Sequence, residues 1–202
     1  MYQKIREPVE NDFHEVNKFI VEQLHSEVSL VESIGHYIVE AGGKRMRPIL
    51  VLLAARGNGI ENDLHIPMAA VIEFIHTATL LHDDVVDMSE LRRGRPTVNA
   101  EWNNPSSVLV GDFIYSRAFQ VLVQIADMRI MEIIANTTNR IAEGEVLQLI
   151  EKSNPQTSEE NYMRVITNKT AILFQAAAQC GAILSKSDSE IEEALRSFGM
   201  QL

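Results

Sequence analysis

An all-α bundle of about eight helices is the fold class this sequence predicts: apolar residues recur at helical spacing nearly throughout, no segment alternates as a strand does, and Gly and Pro punctuate the pattern. With 202 residues, 46% of them hydrophobic, the chain is sized for one domain with a substantial core. Phe13, Val16, Phe19, Ile20 and Leu24 mark a first helix, and Val28, Val31, Ile34 and Ile38 a second. Gly42-Gly43 stops the second. Pro48 starts a third through Ile49 to Ala55, which Gly57-Asn58-Gly59 closes. A long helix is expected over residues 67–88, with others over 106–125, 129–151, 158–184 and 189–200. The breaks fall at Asn103-Asn104-Pro105 and Ser153-Asn154-Pro155. The stretches 69–81 and 170–184 are apolar over most of their circumference, which puts them in the middle of the bundle.

The net charge of −10 argues against unassisted nucleic-acid binding, which takes a clustered basic face. Basic residues gather only at Lys44-Arg45-Met46-Arg47 and Arg92-Arg93-Gly94-Arg95, each the size of a small anion site. The single cysteine, Cys180, sits among Ala, Gln and Gly in an apolar stretch and reads as core in a reducing compartment. The N-terminus lacks the pattern of a signal peptide, and no run of about 18 apolar residues is long enough to span a membrane, so the cytoplasm is expected.

Chemistry concentrates at the end of the long helix, in Leu81-His82-Asp83-Asp84-Val85-Val86-Asp87 followed by Arg92-Arg93-Gly94-Arg95-Pro96. Asp83 and Asp87 share a helix face one turn apart, while Asp84 lies about 100° round. Hard divalent ions such as Mg²⁺ take carboxylate oxygens and keep the rest of their coordination for water and phosphate. The arginines offer planar donors to phosphate oxygens. A solvated acidic helix end is the plain alternative, but Leu80, Leu81, Val85 and Val86 are too apolar for a freely exposed face. His82 beside Asp83 also permits the His-Asp metal pair of a helical phosphohydrolase, for which the chain offers no convincing set of further ligands.

A second anion site is expected at Gly42-Gly43-Lys44-Arg45-Met46-Arg47-Pro48. There two glycines free the backbone to turn, and Lys44 and Arg47 flank a helix start. The alternative is a basic helix end followed by a Pro-initiated helix. His76, seven residues before Asp83, lies on the same side of the long helix; by spacing alone it reads as a core histidine. Lys169-Thr170 puts a cation and a hydroxyl into a greasy helix, which is costly without an anion and favours a kink at Thr170. Asp112 reads as a core or interhelix polar contact.

In this order the motifs resemble those of the trans-polyprenyl diphosphate synthase family. They are Gly42 to Pro48, then Glu73-Phe74-Ile75-His76-Thr77-Ala78-Thr79-Leu80-Leu81-His82-Asp83-Asp84-Val85-Val86-Asp87, then Arg92-Arg93-Gly94. The runs Val108 to Tyr115 and Ala142 to Leu149 are most similar to its bacterial octaprenyl branch. The resemblance implies an orthogonal helical bundle of the isoprenoid synthase type. It also implies Mg²⁺ held by Asp83, Asp84 and Asp87, which act as the catalytic residues. Lys44, Arg47, His76 and Arg93 would bind isopentenyl diphosphate, and Arg92, Lys169 and Thr170 the allylic diphosphate, such as farnesyl diphosphate. The activity implied is elongation of the long prenyl chain of quinones, of about eight isoprene units, by a homodimer. Ala78 and Thr79, small residues five and four before Asp83, are expected to line the tunnel for the growing chain.

Members of the family carry a second motif, Phe-Gln-x-x-Asp-Asp-x-x-Asp, which these 202 residues lack. The expectation is therefore an N-terminal part of a synthase, weakly active or inactive alone. A non-catalytic helical subunit that pairs with a complete synthase is the other reading.

Overall fold

Side-chain caps start four of the helices in this chain. The computed structural model describes residues 2–202, in which α1 (Tyr2–Arg6) and a 3₁₀ turn (Glu7–Val9) lead into α2 (Glu10–Gln23), α3 (Ser29–Glu40) and α4 (Met46–Gly57). The long helix is α5 (His65–Val86). A hairpin of two two-residue strands follows, β1 (Leu91–Arg92) against β2 (Arg95–Pro96), then α6 (Val98–Glu101), α7 (Asn104–Ile125) and α8 (Met128–Glu151). The chain closes with α9 (Glu159–Ile166), a π-helical turn (Thr167–Ala171), α10 (Ile172–Leu184) and α11 (Ser189–Gln201). Asn103, Asp127, Ser158 and Asp188 each accept a hydrogen bond from a backbone N–H in the first turn of α7, α8, α9 and α11.

Taking α9 through α10 as one interrupted rod, the described residues hold eight helices longer than ten residues, as expected. The irregularity expected at Thr170 is a π turn that interrupts the 158–184 helix, and one detail differs from expectation: the arginine segment is a hairpin where no strand was expected. Arg93 (φ 55°) and Gly94 (φ 78°) at its tip make the turn that left-handed residues favour between antiparallel strands.

The middle of the bundle is α5 and α10. α5 packs on α2, α4, α7 and α10, and α10 in turn on α4, α8 and α11. Small residues let α10 lie close to α4: a Cβ built on Gly181 would stand 2.7 Å from Ala54 Cβ and 2.8 Å from the Val51 carbonyl oxygen. Cys180 is fully buried there and its thiol is pushed up by burial, in keeping with a core role. By length and composition alone α7 is long and apolar enough to cross a membrane, though it is not an unbroken apolar run. Asp112 and Arg117 lie within it, and it packs along α5, so it serves as a bundle helix.

Candidate functional site

The C-terminal end of α5 projects its carboxylates in two directions, as the helical spacing predicts. Asp84 turns toward the hairpin, where it is 5% exposed and accepts a forked pair from Arg92: Nη2 to Oδ1 at 2.8 Å and Nε to Oδ2 at 2.9 Å. Asp83 and Asp87 turn toward α8 and the π turn. Asp83 Oδ2 stands 3.2 Å from Lys169 Nζ, which also donates to Glu145 Oε2 at 2.6 Å. Lys152 Nζ donates to Asp87 Oδ1 at 2.9 Å. Burial pulls the Lys169 ammonium down, but Glu145 and Asp83 outweigh it and leave its pKa raised. Burial is also the main cause that holds Glu145 above the usual carboxylate range.

Among the described residues no three His, Cys, Asp or Glu side chains converge on one point, so the aspartates do not make a closed protein cage. The donor set still suits a hard cation that takes one or two carboxylates and fills its remaining positions with water and phosphate. Asp83 and Asp87 share the face toward α8, each beside a lysine, while Asp84, expected with them as a ligand, faces away and is held by Arg92 in the forked, buried bond.

A second cluster gathers where α4 begins. Gly42 (φ 67°), Gly43 (φ 144°) and Arg45 (φ 44°) carry the chain through a left-handed turn, and the Arg93 guanidinium lies where a Cβ on Gly43 would be. Arg47 stacks 4.2 Å from the Phe174 ring centroid. Its Nη1 lies 3.4 Å from His76 Nε2 and can only donate, so Nε2 accepts and the ring proton sits on Nδ1. Burial, then Arg47, Arg93 and Arg92, bring the His76 pKa down to about 3. Arg47, His76 and Arg93 are thus brought together, with Lys44 exposed on the same loop. Thr170 is exposed at the π turn beside Lys169.

The sign of the His76 effect is fixed by linkage. Between its ordinary value of 6.5 and its folded value near 3, the unfolded chain takes up a proton that the folded chain refuses. Stability is therefore lost as pH falls through that window, by at most about 1.4 kcal/mol per pH unit. His76→Asn is expected to flatten the slope of urea-unfolding free energy against pH between 6.5 and 4; an unchanged slope contradicts this.

Beside the aspartate cluster an apolar cavity of about 410 Å³ runs between α5, α7 and α8. On α5 it is lined by Ile75, Thr79, His82, Asp83 and Val86, one helix face. Thr79 lines it as expected. Ala78 does not: one residue earlier, it points about 100° away and is fully buried against the core. Asp112 is 62% exposed and stands 3.3 Å from His82 Nε2 at the cavity wall, so of its two expected settings the interhelix contact is the one that forms.

Sequence reasoning assigned no role to Glu145, although it lies in the quoted run Ala142 to Leu149, and missed Lys152, an isolated charge just past the end of α8. It also missed Tyr37 on α3. Tyr37 donates to the Pro96 carbonyl at 2.8 Å, receives Arg95 on its ring face at 4.4 Å and meets Trp102 edge-on at 5.1 Å, fastening the arginine hairpin to the bundle.

The pattern of the polyprenyl synthetase family matches residues 28–202. The chain belongs to the polyprenyl synthetase family. Over 200 residues it is 53% identical to octaprenyl diphosphate synthase of Escherichia coli, covering 99% of this chain and 62% of that protein. A decaprenyl diphosphate synthase from Rhodobacter capsulatus superposes with a TM-score of 0.97 at 47% identity, over 99% of this chain and 62% of that one. A polyprenyl synthase from Caulobacter crescentus, solved with calcium and isoprenyl diphosphate, gives 0.97 at 42% identity, over 99% and 61%. The chain thus spans about three-fifths of the length of these relatives and has the isoprenoid synthase fold over that span.

Proposed function

We propose that these residues supply the substrate-binding part of a Mg²⁺-dependent polyprenyl diphosphate synthase of long product, about eight isoprene units. The observation that carries this reading is the placement of carboxylates and cations at one end of an apolar cavity, with a second cation cluster alongside. Lys169, Thr170 and Arg92 hold the diphosphate of an allylic substrate such as farnesyl diphosphate, and its hydrocarbon tail enters the cavity past Thr79. Lys44, Arg47, His76 and Arg93 hold the diphosphate of isopentenyl diphosphate. Bound at Asp83 and Asp87, Mg²⁺ supplies charge to take up the leaving diphosphate.

Cleavage of the allylic C–O bond sends its electron pair to that diphosphate. The double bond of isopentenyl diphosphate then forms the new C–C bond, and loss of a proton restores an alkene one isoprene unit longer. Ile75, Ile141 and Leu149 keep water from the cationic carbon. Asp84 acts by orienting Arg92. Exposed Leu109 and Val123 on α7 suit the contact of a homodimer, and a monomer by light scattering counts against it. Retention of both charge clusters favours a substrate-binding role over the reading as a non-catalytic subunit. The cytoplasm suits the water-soluble diphosphate substrates.

The facing carboxylates of the family's second motif have to come from outside residues 1–202. A chimera joining residues 1–202 to the remaining C-terminal part of the E. coli relative should therefore convert farnesyl diphosphate and labelled isopentenyl diphosphate into long prenyl products with Mg²⁺, and the 202 residues alone should form little. A chimera that folds yet makes no product overturns the reading. In the same chimera Thr79→Phe should shorten the products, whereas Ala78→Phe should mainly destabilise the core. A product distribution that responds to neither sinks the tunnel assignment.

A further inference from the structure

A buried acid with no role assigned so far lies under the arginine cluster. Glu73 is on α5 one turn before His76, so both side chains point at the start of α4. Its Oε1 stands 4.0 Å from Arg45 Nε, and the two side chains are 14% and 9% exposed. Burial pushes the Glu73 carboxyl up, opposed by Arg45, Arg47 and Arg93, so all three guanidiniums are within electrostatic reach. Glu73 Oε2, Arg45 Nη1 and Arg47 Nε are buried without a hydrogen-bond partner among the described residues. Such a group is a costly way to fill an interior that apolar side chains could pack.

The backbone shows what this cost supports. Three of the four residues from Gly42 to Arg45 have positive φ, and only the last carries a side chain. A long side chain in the left-handed region persists where its surroundings over-determine it. The Arg45 guanidinium lies between two acceptors: Nη2 is 3.5 Å from the Val39 carbonyl oxygen, and Nε is 4.0 Å from Glu73 Oε1. Lys44 and Arg47, on either side of Arg45, take their directions from that turn.

We propose that Glu73 is a positioning residue for the isopentenyl diphosphate site. Through Arg45 it fixes the left-handed turn that aims Lys44 and Arg47, and it keeps the Arg45 charge turned inward. The inference rests on the assignment of Lys44, Arg47, His76 and Arg93 to that diphosphate. Positioning gives a sign that charge alone does not. Removing a negative charge beside an anion site tightens anion binding by Coulomb's law, whereas losing the turn weakens it.

The test is calorimetric titration of the purified chain with isopentenyl diphosphate, with thermal melting of each variant. Glu73→Gln and Arg45→Met should each weaken binding about tenfold, the scale on which supporting shells act. The double variant should bind no more weakly than either single one, because the two act as a unit. Arg45→Lys keeps the charge without the planar fork and should weaken binding at least threefold, which covers the case in which a harsher variant does not fold. Unchanged or tighter binding in Glu73→Gln or Arg45→Lys, with Arg47→Met still abolishing it, overturns the inference alone. Additive losses in the double variant also overturn it. No binding by the unmodified chain, or full binding by Arg47→Met, overturns the site assignment and this inference with it.

Discussion

Replacing Asp83 and Asp87 together by Asn is expected to weaken Mg²⁺-dependent binding of an unreactive farnesyl diphosphate analogue by about a hundredfold or more, with little change in melting temperature. Each carboxylate removed from a charge-paired site costs roughly 2 kcal/mol or more of binding, and about 2.8 kcal/mol already amounts to a hundredfold. Stability changes little for two reasons. The Asp87–Lys152 pair is half-exposed and pairs of that kind contribute at most about 1 kcal/mol. Lys169 keeps Glu145 as its partner when Asp83 is neutral. Asp112→Asn, on the same cavity wall but outside the pair, is the control and should bind as the unmodified chain does. Calorimetry with and without Mg²⁺ reads both; equal loss in the control, or Mg²⁺ dependence that survives the double substitution, removes the metal from these aspartates.

Gly181→Ala should lower the melting temperature by several degrees, although Ala is the better helix former. The propensity gain is about 1 kcal/mol. Against it, the new methyl would meet Ala54 Cβ at 2.7 Å, the Val51 carbonyl at 2.8 Å and the Ala55 amide at 3.1 Å, two of them backbone atoms that cannot rotate aside. Overpacking of that kind costs up to about 3 kcal/mol, leaving a net loss near 2 kcal/mol and a fall of roughly 4–8 °C for a chain of this length. Gly57→Ala, with open space around it, should by contrast raise the melting temperature slightly. A Gly181→Ala protein as stable as the original means that α4 and α10 do not cross as described.

Helices and their central pair were legible in the sequence because periodicity and the stops at Gly and Pro are local signals. The features that escaped depend on what lies across the bundle. A kink at Thr170 was legible, but not its form as a π turn at Thr167–Ala171 packed closely on α8, where a Cβ on Gly144 would stand 2.9 Å from Asn168 Cβ and 3.1 Å from the Lys169 amide. The hairpin has two residues per strand, too few for any alternation to register. Helical spacing correctly separated Asp84 from Asp83 and Asp87, yet only the bundle shows that Arg92 claims Asp84. Ala78 and Thr79 are neighbours in sequence, and nothing local says which of them meets the cavity. Glu73 heads the motif that ends at Asp87 but has no role there by itself; its meaning came from Arg45, 28 residues earlier in the chain.

The central claim is that one end of the cavity holds a metal-bound allylic diphosphate and the arginine loop a second, metal-independent diphosphate. A crystal of the chain grown with Mn²⁺, an unreactive farnesyl diphosphate analogue and isopentenyl diphosphate tests it directly, because Mn²⁺ is located by anomalous scattering. The account predicts Mn²⁺ on Asp83 or Asp87, with Lys152 released from Asp87 and the isopentenyl diphosphate among Lys44, Arg47, His76 and Arg93. Mn²⁺ away from these aspartates, or a diphosphate that leaves the arginine loop empty, contradicts it.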